Sequence, residues 1–92
     1  MTDAELLRAL RSVGMAALVI HLDLFRAPGD AATRAETLRL RTGWAATACR
    51  TRVSYAAAII AAGRLGDALA LIAAAERVSP EIRRRARQIT SG

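Results

Sequence analysis

Apolar residues recur along the first quarter of the chain at alternating steps of four and three: Leu6, Leu10, Val13, Ala17, Ile20 and Leu24. That spacing draws one apolar stripe over about five helical turns, and Leu7, Leu18, Leu22 and Phe25 widen it. Thr2 with Glu5 three residues on fits a capping box, in which each side chain answers the other's free backbone N–H. The pattern predicts one continuous helix from there to Ala27-Pro28-Gly29-Asp30, which ends it in a turn. Gly14 costs this helix about 1 kcal/mol against alanine and is read as a place for another helix to approach closely. So wide a stripe exceeds what the remaining short helices obviously cover. It therefore predicts a homodimer, with Leu6, Leu10, Val13, Ala17, Ile20 and Leu24 as its interface.

A second capping box follows, Thr33 with Glu36, and opens a short helix that Gly43 closes in a left-handed C-terminal position. From Trp44 to Ala62 no residue breaks a helix, so this stretch is one helix or two, with Ser54 as a cap in the second case. Gly63-Arg64-Leu65-Gly66 is a break, and Asp67 caps a helix from Ala68 to Val78. Ser79-Pro80 starts the last one, serine as cap and proline in the first turn. No segment alternates with period two for long enough to be a strand. The expectation is an all-α compact bundle of five or six helices in a single domain, residues 1–92. Within it, 1–30 is an apolar core or dimerisation helix, 31–63 the central unit, and 64–92 a helical hairpin with a basic end.

Composition narrows the class. Ninety-two residues with 22 alanines and three aromatics, Phe25, Trp44 and Tyr55, make one small, closely packed aliphatic core. A lone Cys49 forms no internal disulfide, which reads as a reduced, cytoplasmic chain. The longest apolar run, Met15 to Phe25, is interrupted by His21 and Asp23 and falls short of the ~20 residues of a membrane span. The acidic start, Asp3 and Glu5, is unlike a signal peptide. Fourteen arginines and no lysine suit the codons of a high-GC bacterium or its phage. A disordered tail, a secreted disulfide scaffold and a multidomain enzyme are excluded.

Charge is unevenly spread. Residues 1–30 hold three arginines against four acids, and residues 31–92 hold eleven against four. Five arginines fall within 34–52 and five within 77–87, and the segment between is nearly neutral. Two basic clusters flanking an alanine-rich segment point to a polyanion, nucleic acid above all. Catalysis has little to build on. His21, the one histidine, sits in the most apolar helix and reads as a surface or half-buried residue, Cys49 reads as a small buried side chain, and the acids are scattered singly. Gly63-Arg64-Leu65-Gly66 lacks the strand and the Lys-Ser/Thr ending of a phosphate loop. No enzyme, cofactor or metal site is expected.

The segment Thr33 to Val53 resembles a helix-turn-helix unit of the small phage or bacterial regulator type. With Gly43 as the turn glycine, Leu38 and Trp44 fall on apolar positions of that motif and Cys49 on the next. Arg39 stands where a small residue usually lets the helices pack, and Arg52 where an apolar one is usual. The resemblance implies a second helix starting near Ala45 that shows Thr47, Arg50 and Thr51 to base edges in the major groove. Arg34, Arg39, Arg41 and Arg52 would lie near phosphates. Arg83, Arg84, Arg85 and Arg87, on every face of the last helix, would act on phosphates without reading sequence or simply stay solvated. A dimer would suit half-sites about one turn, ~34–36 Å, apart. The spacing of Gly63, Ala68, Ile72, Ala75 and Pro80 resembles the second half of a tetratricopeptide repeat, with Arg52 in place of its tryptophan and no second copy. The segment Arg50 to Ser79 is similar to an Arg/Ala-rich region that precedes the nuclease domain of some actinobacterial HNH endonucleases, without the HNH motif. The expected function is a small DNA-binding regulator. The alternative is a helical interaction module, such as a phage-encoded modulator of a host protein, meeting an acidic partner.

Overall fold

The chain is all-helical in a computed structural model that describes residues 1–91, with seven helical segments and no strand among them. They are α1 (Asp3–Val13), α2 (Met15–Ile20), α3 (Leu22–Arg26), α4 (Ala31–Thr42), α5 (Ala46–Ala61), α6 (Leu65–Ala74) and α7 (Pro80–Ser91). The excess over five or six comes from the first predicted helix, which is three pieces rather than one. Gly14 takes φ 93° and ψ 124°, a conformation that L side chains rarely adopt, and the chain turns there. His21 makes the second break. A straight helix presents one stripe to one core, whereas Ala17, Leu18 and Val19, and then Leu22, Leu24 and Phe25, are all buried. Breaking the axis twice lets consecutive residues face different neighbours, α2 against α7 and α3 against α4 and α5.

Most of the stripe read as a dimer interface lies inside the chain. Leu6, Leu10, Val13, Ala17 and Leu24 are buried within the chain's own core, and of the six stripe residues only Ile20 is exposed. α5, which packs on α1, α3, α4 and α6 and is the central element of the bundle, covers those on α1 and α3, while α7 packs on α2. It is a single helix, with Ser54 exposed inside it rather than capping a second one. Cys49, Val53, Ala56 and Ile59 form its buried face.

Local ends follow the chemistry with two exceptions. The Thr2–Glu5 box forms as read, and the Thr2 N–H holds the Glu5 carboxyl below its ordinary range. At α4 the cap is Asp30, whose side chain accepts from Thr33 N–H at 2.7 Å, so the Thr33–Glu36 box does not form. Asp30 lies at the edge of the 27–30 turn and reaches the same orphan amides three residues earlier. α6 starts at Leu65 with Arg64 at its cap, and stops at Ala74, four residues short of the expected Val78. Ser79 accepts from Ile82 N–H at the start of α7, with Pro80 in the first turn, as the sequence reads.

Candidate nucleic-acid interface

α4 ends at Gly43, left-handed at φ 78°, and α5 begins three residues later at Ala46. The two helices pack on each other through Ala35 and Leu38 on one side and Cys49 and Val53 on the other, with Trp44 half-buried at the turn. Arg39 does not obstruct this contact, because its guanidinium turns back to Glu36 at 2.6 and 2.9 Å. The same fork holds the Glu36 carboxyl below its ordinary range.

Thr47, Arg50 and Thr51 are exposed on the first turns of α5. The Thr51 hydroxyl donates to Thr47 C=O at 3.1 Å. Arg50 has no carboxylate or hydrogen-bond partner among the described residues and lines a shallow groove with Ala32, Glu36, Arg39 and Ala46. No side chain caps the start of α5, so its first backbone N–H groups lack a side-chain acceptor.

Other members of the predicted set are engaged by partners within the chain. Arg34 donates from Nε to Ala27 C=O at 2.9 Å and ties α4 to the preceding turn. Arg41 grips Asp23 with both terminal nitrogens at 3.1 and 3.2 Å, holding that carboxyl low. Arg52 departs furthest from the expectation of a phosphate contact. Its guanidinium lies 4.3 Å from the Trp44 ring centroid and donates to Val13 C=O. The break at Gly14 leaves that carbonyl without a helical partner, and a charged donor satisfies it. Arg52, which the helix-turn-helix resemblance sets at an apolar position, is thus a structural member of the core edge.

On α7, Ala86 is buried and Ile82 and Ile89 pack against the core, so the arginines do not occupy every face. Arg84 and Arg85 are exposed, Arg83 is half-buried, and Arg87 donates to Ala73 C=O at 3.3 Å. Arg83, Arg84 and Arg85 have no acidic partner among the described residues. The ion pairs found there are Arg39–Glu36, Arg41–Asp23, and Arg64 with both Asp3 and Asp67.

Sequence reasoning missed His21. It is buried, its ring edge meets Trp44 at a centroid distance of 5.8 Å, and Nδ1 has no hydrogen-bond partner. Burial pushes its pKa below the ordinary 6.5, with Arg41 and Arg52 adding to the shift and Asp23 opposing it. A folded state that resists protonation loses stability as pH falls below about 6.5, where the unfolded chain takes up the proton first. The loss levels off below the folded value. Thermal melts of His21→Phe between pH 5 and 8 are therefore expected to be flatter than those of the unaltered chain across this window. Parallel curves would remove His21 as the cause.

Among the described residues no three His, Cys, Asp or Glu side chains gather as a metal site would require. No single helix is long and apolar enough to cross a membrane, and the apolar α5–α6 pair is folded by 112° at its break. No family model, no curated protein and no solved structure matches the chain.

Proposed function

We propose that this protein binds duplex DNA through the α4–turn–α5 unit, as a small regulator of the phage or bacterial kind. One observation carries the reading: the first turns of α5 hold Thr47, Arg50 and Thr51 exposed behind a three-residue turn, with Arg50 unpaired. Arginine takes guanine O6 and N7 through two parallel bonds, and threonine reaches a base edge or a phosphate. Arg83, Arg84 and Arg85 supply further charge that no acid in the described residues neutralises. A second reading, capture of an acidic protein, draws support from Leu40, an apolar side chain left 72% exposed beside Arg41 on α4.

Titrating labelled duplexes across a salt series tests the first reading. Log affinity is expected to fall linearly with log salt, by about 0.9 per phosphate contact. Arg50→Ala is expected to cost about 1–3 kcal/mol on a preferred site and to relax its sequence preference. Arg84→Ala with Arg85→Ala weakens all duplexes alike and flattens the slope by roughly one unit per lost contact. A chain that binds no duplex even at low salt overturns the DNA reading.

A further inference from the structure

We propose that the end of the bundle where α1 stops and α5 starts contacts phosphates, with Arg11 and Arg77 adding to the contacts of Arg50. The proposal rests on the reading of the chain as a duplex-DNA binder. Helix direction is the first support. Arg52, near the start of α5, reaches Val13 at the end of α1, while Arg64, just beyond the other end of α5, reaches Met1 C=O and Asp3. α1 and α5 therefore run antiparallel. α6 sets out beside Arg64 and Asp3, and its exit, residues 75–78, lies against Arg11 and Met15. The turn into α7 is thus delivered to the end at which α5 begins.

The second support is how charge is sorted between the ends. Arg11 and Arg77 are exposed and line one groove with Met15, Ala75, Glu76 and Val78. Neither has a carboxylate or hydrogen-bond partner among the described residues. Glu76 is the opposing charge in that groove. Asp3 and Asp67 stand at the other end, bridged by Arg64, with Glu5 on the next turn of α1. A polyanion approaching this dipolar molecule is steered to the α5-start end.

The test is the salt dependence of duplex binding by Arg11→Ala/Arg77→Ala, in the full chain. Both side chains are exposed and unpaired, so an unchanged melting temperature is the folding control. The double variant is expected to flatten the slope by nearly two units and to weaken binding equally on every duplex sequence. Arg26→Ala is the matched control. It removes one unpaired arginine beside Ala57, Ile60 and Ala61, on the last turns of α5, and is expected to leave the slope unchanged. A double variant with the slope of the unaltered chain overturns this surface and leaves the DNA reading standing. Equal flattening by Arg26→Ala reduces the effect to net charge and also overturns it. If the unaltered chain binds polyglutamate and no duplex, the DNA reading falls and this surface falls with it.

Discussion

Arg52→Ala is expected to lower the stability of this protein by roughly 2–4 kcal/mol, the sum of a charge-assisted hydrogen bond and a cation–π contact. Val13 C=O loses its donor at the Gly14 break and Trp44 loses the cation on its face. Arg52→Lys restores little, since an ammonium has neither the planar face nor the fork that serves both contacts. Gly14→Ala attacks the same place from the other side. Its φ of 93° is strained for alanine, and the new Cβ would stand 2.7 Å from Arg52 Nη1. Because both changes break one contact, the double variant is expected to be less destabilised than the sum of the singles. Thermal and urea unfolding measure all three. Additive effects would mean that Gly14 and Arg52 act independently. In duplex titrations Arg52→Ala should leave the salt slope unaltered, because its guanidinium faces Val13 and Trp44 rather than a phosphate.

Leu10→Ala is expected to cost about 2–5 kcal/mol, a large share of the 5–15 kcal/mol typical of a domain. Leu10 has no exposed surface and sits where α1 meets α5. The core reading requires the loss to be the same at every protein concentration. Were the stripe a dimer face, stability would rise with concentration and the variant would chiefly shift the monomer–dimer balance. Melts over a hundredfold concentration range distinguish the two.

Of the candidate site, the turn at Gly43 and the exposure of Thr47, Arg50 and Thr51 were legible in the sequence. Both follow from local rules, glycine in a left-handed position and residues placed around a helix off the Cys49–Val53 face. The inward course of Arg52 was not legible. It answers a carbonyl freed by Gly14, thirty-eight residues away in the chain, and no local pattern connects the two. His21 escaped for the same kind of reason. Ile20 before it is exposed and Leu22 after it is buried, and only Trp44 from the α4–α5 turn shows that the ring is enclosed.

By itself the sequence determined the helical class, the Thr2–Glu5 and Ser79 caps, the stops at Gly43 and Gly63, and the apolar identity of the core. Each depends on backbone preference or on spacing within a few residues, which short-range physics decides. Only the tertiary structure decided that the first stripe is covered from within, that it bends twice to meet α7, α4 and α5, and which arginines are consumed as internal donors. A stripe of leucines states that a face must be buried, not what buries it. An arginine carries the same charge whether it meets solvent, a carboxylate or an orphaned carbonyl. Those assignments depend on contacts between residues far apart in the chain, and they exist only once α5 has packed against the rest.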